Sequence, residues 1–131
     1  MEKRLYQRIL AGVISNFILK DNPPGHREFS GVIDDISENG IKISISDSDC
    51  SEIVTNIKVG NIIAFQALDE YEIYGEIRTE VFSGEAKVIR VDSEKDNIII
   101  GCKVVKSSKE YEEYVKNKKM ALFMKRGCLL V

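Results

Sequence analysis

The order of hydrophobic and polar residues along the chain predicts a domain built mainly from β-strands. Residues 41–46, Ile-Lys-Ile-Ser-Ile-Ser, alternate strictly between apolar and polar, as in a strand with one face in water. Two β-branched segments, 88–91 and 98–105, flank the polar residues 92–97 and predict a hairpin. Further strands are predicted at 29–36, at 62–68 and at 71–81, with a turn at Phe82-Ser83-Gly84.

The first apolar segment, residues 5–19, fits either a helix or a strand by periodicity alone. Its β-branched residues and the Pro23-Pro24 pair that follows it favour a strand. Basic residues stand at its start, as in a signal peptide, but the apolar run from residue 9 to 19 is interrupted by Ser15 and Asn16 and has only 11 residues. A membrane-spanning helix takes about 20 residues, so we expect no membrane insertion.

The last quarter of the chain predicts a helix. Ser107 and Glu110 have the spacing of a capping box, and Gly127 stands where a helix C-cap glycine is common. An apolar stripe with helical spacing lies between them, formed by Tyr111, Tyr114, Val115 and Leu122. The strands at short intervals predict a small antiparallel barrel or sandwich, and the helix is expected to pack on it.

Composition describes one globular domain without the basic excess of proteins that coat nucleic acids. The 131 residues are 44% hydrophobic and carry 19 basic and 21 acidic side chains, for a net charge of −2. This balance argues against DNA or RNA binding, which needs a clear excess of Lys and Arg. It still permits a small anionic ligand at a local basic site, and the N-terminus offers one in Lys3, Arg4 and Arg8.

The sequence offers few residues suited to catalysis or metal binding. The cysteines at positions 50, 102 and 128 are scattered and odd in number, which favours free thiols in a reducing cytoplasm. The single His26 has no second imidazole with which to share a metal. No GxSxG, Walker-type or HExxH motif is present. We therefore expect a cytoplasmic binding protein that has no metal, no cofactor and no enzymatic activity.

Two short motifs, Arg4-x-x-x-Arg8 and Asp35-x-Ser37-x-x-Gly40, carry residue types suited to a guanine nucleotide. Arginine can grip a phosphate, stack on a base or donate to guanine's Hoogsteen edge. An Asp carboxylate accepts from the donors of guanine's Watson–Crick edge. Ser37 and Gly40 would shape a turn, the glycine by permitting a positive φ or a close approach of the backbone to a ligand.

Each motif also has an ordinary interpretation. The arginines fit a solvated basic N-terminus, and the second motif fits a hairpin turn whose Asp and Ser bond to their own backbone. The two motifs together predict an arm with two arginines facing a turn with one carboxylate. Such an arrangement is a suitable clamp for a guanine-containing phosphodiester.

These motifs, together with residues 59–63 and 100–104, resemble the PilZ domain family, in that family's order and over almost the whole chain. The resemblance implies a mainly β fold, a six-stranded antiparallel β-barrel with a C-terminal α-helix. It implies a single domain over residues 1–131, with a ligand-gripping arm at 1–10, the barrel at 11–106 and the helix at 107–126. It also implies a receptor for the bacterial second messenger cyclic di-GMP rather than an enzyme.

By this resemblance, Arg4 and Arg8 hold the phosphates and one guanine face, while Asp35 and Ser37 contact the other guanine and Gly40 shapes the turn. Further candidates are Asn39, inside the turn motif, and Lys3, at a position that in the family influences whether one ligand or a stacked pair is bound.

The implied receptor regulates motility or biofilm formation, and it relays its signal to an unidentified effector protein when the ligand orders the arm. The alternative is a ligand-independent β-barrel interaction module in a motility or secretion complex.

Overall fold

Six antiparallel strands and one helix make up the part of the chain that the computed structural model describes, which is residues 9–20, 28–46, 54, 56–94 and 96–126. The strands and the helix are β1 (Ile9–Leu19), β2 (Glu28–Ile36), β3 (Gly40–Ser46), β4 (Ile62–Ile73), β5 (Glu76–Glu94), β6 (Asn97–Ser107) and α1 (Lys109–Arg126). No helix within these ranges is long and apolar enough to cross a membrane.

The strands form a closed barrel in the order β1-β2-β3-β6-β5-β4, and the pairing of β1 with β4 closes the ring. Every pair of neighbours is antiparallel. The predicted barrel with a C-terminal helix is confirmed, and the sandwich alternative is excluded. The first apolar segment is a strand from Ile9, as its β-branched residues indicated.

The core lies inside the barrel and under the helix. In β3 the three isoleucines are fully buried, while the polar residues between them are partly exposed, as the alternation predicts. The helix buries Tyr111, Tyr114 and Val115, which confirms those members of the apolar stripe. The ring of Tyr114 stacks on Phe82 of β5, with ring centroids 4.1 Å apart. The Leu122 side chain and Gly127 lie outside the described part of the chain.

The β4–β5 hairpin differs from the sequence prediction of one strand at 71–81 and a turn at 82–84. The chain reverses at Tyr74-Gly75, whose φ angles of 54° and 76° suit the tight two-residue turns that match the twist of a hairpin. Gly84 lies inside β5, where a Cβ would be 2.6 Å from the carbonyl oxygen of Lys106. This glycine therefore permits a close approach between β5 and β6 and forms no turn.

Two predicted element boundaries also shift. Ile9 and Leu10 belong to the barrel and not to the arm, because β1 begins at Ile9. At the other end β6 continues through Ser107, and the hydroxyl of Ser108 accepts the N–H of Tyr111 at 3.1 Å. The helix cap is therefore one residue later than the predicted capping box, and α1 begins at Lys109 rather than 107.

The acid-rich hairpin at residues 69–80 anchors the helix to the barrel. The carboxylate of Asp69 accepts the Tyr114 hydroxyl at 2.6 Å and pairs with the Lys118 ammonium at 2.7 Å. The Tyr71 hydroxyl donates to Glu80 at 2.6 Å. Burial and, next, this bond to Glu80 raise the pKa of Tyr71 to about 12, so its hydroxyl stays a donor at neutral pH.

Candidate ligand-binding turn and basic patch

Asp35 reaches the outer side of the barrel through a β-bulge in β2. The register with β3 shifts between Ile33 and Asp35, which leaves Asp34 as an extra residue. A bulge interrupts the alternation of side chains, so Asp34 and Asp35 are both partly exposed while Ile33 and Ile36 are buried. Two adjacent carboxylates therefore lie just before the β2–β3 turn.

The environment of Asp34 disfavours its charged form. Partial burial is the largest cause and raises the pKa of this carboxyl above its ordinary value of 3.8. The neighbouring charge of Asp35 also raises this pKa, while Lys42 and a hydrogen bond with Ser44 lower it. The folded barrel therefore holds a proton on Asp34 more tightly than the unfolded chain does.

The turn at residues 37–40 is closed by hydrogen bonds within it. The N–H of Ser37 donates to the carbonyl of Gly40 at 2.9 Å. The Ser37 side chain is buried, and its hydroxyl lies 3.3 Å from Oδ1 of Asn39 and 3.4 Å from the Gly40 carbonyl. The Asn39 carbonyl accepts the N–H of Val104 at 2.8 Å, which ties the turn to β6. The hairpin-turn interpretation is therefore correct for Ser37.

Gly40 is the first residue of β3 and is buried. Among the residues that the structure describes, positive φ angles occur at Gly60, Tyr74 and Gly75. The positive φ that was one expected reason for a glycine at position 40 is therefore wrong. The other expected reason, a close approach of the backbone to a ligand, stays a prediction.

Two side chains of the helix hold the turn. The Tyr111 hydroxyl donates to the carbonyl of Ser37 at 2.6 Å, and Lys119 forms an ion pair with Glu38. Burial, and to a smaller extent the charge of Glu38, raise the pKa of Tyr111, so the hydroxyl remains a donor at neutral pH. The position of the turn therefore depends on the position of α1.

Basic side chains surround Gly101 on the outer side of three adjacent strands. In the barrel register Gly101 pairs with Lys42 on β3 and with Arg90 on β5, and Lys103 pairs with Lys87. The Lys42 side chain is partly exposed, and the other three are exposed. Arg90 also forms an ion pair with Asp92 at 2.9 Å. We call this group the basic patch, formed by Lys42, Lys87, Arg90 and Lys103.

The basic patch adjoins the turn through the barrel register. Lys42 lies between Asp35 and Gly101, and Gly40 pairs with Lys103. Directly paired residues on one face of a sheet have Cβ atoms about 4.5–5.5 Å apart. An anionic ligand at the turn would therefore meet several of these cations.

The described structure brings Asp35, Ser37, Asn39 and Gly40 together in the β2–β3 connection. Lys3, Arg4 and Arg8 lie outside the described residues, as do His26 and two of the three cysteines. The basic patch could not be predicted from the sequence, because its members come from three strands whose register is known only from the structure. The one available signal was Lys42, which alternation places on the outer face of β3.

The described residues contain no cluster of three or more His, Cys, Asp or Glu side chains that would suit a metal ion. Cys102 is a buried free thiol, and burial raises its pKa to about 12. It is therefore protonated at neutral pH and belongs to the core.

A groove of about 490 Å³ lies away from the turn, on β1, β2 and β4. Its rim includes Asn16, Ile18, Ser30 and Gln66, with Glu28 at the start of β2. The DxSxxG turn follows the opposite end of that strand, so the groove is not part of the candidate site.

Comparison with known proteins identifies the fold. Neither a family model nor a curated protein sequence matches this chain. The inhibitor of motility MotI/DgrA of Bacillus subtilis is similar over 98% of this chain, at 15% identity and a TM-score of 0.62, and the match spans 53% of that protein. The chain thus spans about half of the length of that protein.

A second solved structure matches over nearly its full length. It is the PilZ domain of YcgR from Escherichia coli, solved with cyclic di-GMP. The match covers 97% of this chain and 95% of that one, at 17% identity and a TM-score of 0.58. The strand order, the closed ring and the C-terminal helix agree with this likeness, and this chain therefore has the fold of a PilZ domain.

Proposed function

We propose that this chain binds cyclic di-GMP at the β2–β3 turn and the basic patch, with Arg4 and Arg8 completing the site. The observation that carries the proposal is the placement of Asp35-x-Ser37-x-x-Gly40 at a surface turn of a PilZ-type fold, next to four cations. A domain with the same fold was solved with this ligand, which supports the same choice here.

Each part of the site suits one part of the ligand. The Asp35 carboxylate can accept from the two donors of a guanine Watson–Crick edge. The two phosphates suit the arginines of the N-terminus together with the basic patch. The Ser37 hydroxyl is buried, but its contacts of 3.3 and 3.4 Å are long for an O–H donor, so a guanine that reached it would displace little hydrogen bonding.

The proposed output is a change in the surface offered to an effector protein. Ordering of residues 1–10 against the barrel by the ligand would create this change, by the order–disorder mechanism common to molecular switches. The likeness to an inhibitor of motility supports regulation of motility as the process. The effector, a role in biofilm formation and the cytoplasmic location remain predictions.

The alternative is a barrel that serves as an interaction module without a ligand. The bond from the Ser37 N–H to the Gly40 carbonyl at 2.9 Å favours it, because this bond closes the turn in the absence of a nucleotide. The alternative predicts that Asp35→Ala leaves the binding of a partner protein unchanged and that cyclic di-GMP does not affect this binding.

Titration calorimetry tests the proposal directly. The wild-type chain should release or absorb heat with cyclic di-GMP, and Arg8→Ala should weaken affinity roughly ten- to hundredfold, since a charge-assisted contact contributes about 1.5–3 kcal/mol. Lys58→Ala is the matched control, because this exposed basic residue lies outside the basic patch. Absence of heat with the wild type at high ligand concentration would contradict the proposal, as would an equal loss in the control.

A further inference from the structure

The β4–β5 hairpin projects beyond the closed ring of the barrel. Pairing of β4 with β1 ends at Ala67, and pairing of β5 with β6 begins only at Gly84. Residues 68–83 therefore form a two-stranded ribbon, with α1 packed against one face. Within the described residues no strand pairs with the outer edge of β5 over residues 76–82.

The register shows which backbone groups point to this edge. Ile73 and Glu76 close a two-residue turn, so the N–H and C=O groups of Glu76 point toward β4. In an antiparallel pair the direction alternates, so the N–H and C=O groups of Ile77, Thr79 and Val81 point away from β4. Ser83, two residues after Val81, confirms this alternation, because its N–H and C=O both bond to Ser108 and not to β4.

The three edge residues keep their backbone groups available for pairing. Within the described part of the chain, no hydrogen-bond partner is present for the outward N–H and C=O groups of Ile77, Thr79 and Val81. Their side chains are exposed, with fractions of 69% for Ile77 and 48% for Val81. Leu68, which pairs with Val81 on β4, is 55% exposed and extends the apolar surface.

The sequence of this edge is complementary to itself. A two-fold axis through Thr79 places Ile77 opposite Val81 of a second copy, and the reverse, so six backbone hydrogen bonds form along three residue pairs. The same axis places Arg78 opposite Glu80 of the second copy on the other face. Each apolar side chain therefore meets an apolar one, and each charge meets its opposite.

We propose that this edge of β5 is the docking surface for a second copy of the chain, in an isologous dimer with a continuous four-stranded sheet. Edges that proteins protect against pairing carry charges that repel a second copy. Here the two charges at the paired positions have opposite signs. The inference is independent of the proposed ligand, because it uses none of the residues of the turn or the basic patch.

Sedimentation of charge-reversal variants tests the dimer. The wild-type chain should show a concentration-dependent monomer–dimer equilibrium. Arg78→Glu and Glu80→Arg should each raise the dimer dissociation constant by about tenfold or more, because the symmetry makes two like-charge pairs. An equimolar mixture of the two variants should dimerise as well as the wild type, because every Glu then faces an Arg.

Matched controls separate pairing from folding. Lys58→Glu makes the same change of charge at an exposed position outside the hairpin and should leave the dimer unchanged. Thr79→Pro removes an outward N–H that β4 does not use, so it should abolish the dimer while circular dichroism still shows the native fold. A wild type that stays monomeric into the millimolar range would overturn the proposal. This holds even if an extended peptide of another protein is found to bind the edge. Dimerisation of Thr79→Pro at wild-type strength would overturn it as well.

Discussion

A single extra residue in β2 decides where the acidic side chains of the candidate site lie. In a regular strand that buries Ile33, Asp35 would point into the core and Ile36 outward. The extra residue at the Asp34 bulge reverses the direction of the side chains that follow it. Ile36 therefore lies in the core, and both carboxylates lie on the outer side. The spacing of three between Ile33 and Ile36 was the signal in the sequence, because a regular strand has apolar residues at even spacings.

The partial burial of Asp34 at the bulge makes the free energy of unfolding depend on pH. Because the folded pKa of Asp34 is raised, the folded state binds more protons than the unfolded chain between 3.8 and the raised pKa. The contribution of Asp34 to the free energy of unfolding is therefore fully present at pH values below 3.8, and it is lost as the pH rises to the raised pKa. Asp34→Asn should raise the free energy of unfolding at pH 7, and this gain should vanish near pH 3.

Urea titrations at the two pH values measure this difference. Asp92→Asn is a matched control, because Asp92 is exposed and its loss removes only the ion pair with Arg90. The explanation is wrong if Asp34→Asn lowers the free energy of unfolding at pH 7, or if the gain is the same at both values.

At the scale of elements, α1 connects parts of the chain that are far apart in sequence. Its tyrosines fill the end of the barrel, and its side chains bond to the β4–β5 hairpin and to the β2–β3 turn. The bond from Tyr111 to Ser37 joins the helix to the centre of the DxSxxG motif. A displacement of either element therefore strains the other.

Tyr111→Phe tests this connection. The ring keeps its contacts with Phe65 and Phe82, but the Ser37 carbonyl loses a buried donor, so the free energy of unfolding should fall by about 1–3 kcal/mol. Tyr74→Phe removes a hydroxyl from a tyrosine that is 61% exposed, and it should change stability little. Chemical denaturation of the two variants gives both values, and equal effects would contradict the role of this hydrogen bond.

The elements that local pattern determines were predictable, and those that depend on pairing were not. Alternation identified β3, and the stripe of Tyr111, Tyr114 and Val115 identified the helix. The β4–β5 hairpin was misplaced because Tyr74-Gly75 lacks the Asn or Asp that usually marks such a turn, while Gly84 looks like a turn and lies inside a strand. The basic patch was invisible because only the register brings its cations together.

At the scale of the whole molecule, the net charge of −2 conceals a separation of charge. In the hairpin, Asp69 pairs with Lys118 of the helix and Glu80 accepts from the Asn117 amide of the helix at 3.3 Å. The basic patch adjoins the turn on the other strands. A polyanion would find no continuous basic surface in the described residues, but a small ligand with two phosphates would find a local one. The charges of the described residues thus agree with the ligand that we propose.

The melting temperature of the chain with and without cyclic di-GMP tests the central claim most directly. A ligand that binds only the folded state stabilises it by about 2.7 kcal/mol at a hundred times its Kd, which amounts to several degrees for a domain of this size. We expect a rise that grows with ligand concentration, that GMP does not reproduce and that Asp35→Ala reduces. A melting temperature that cyclic di-GMP leaves unchanged would contradict the claim.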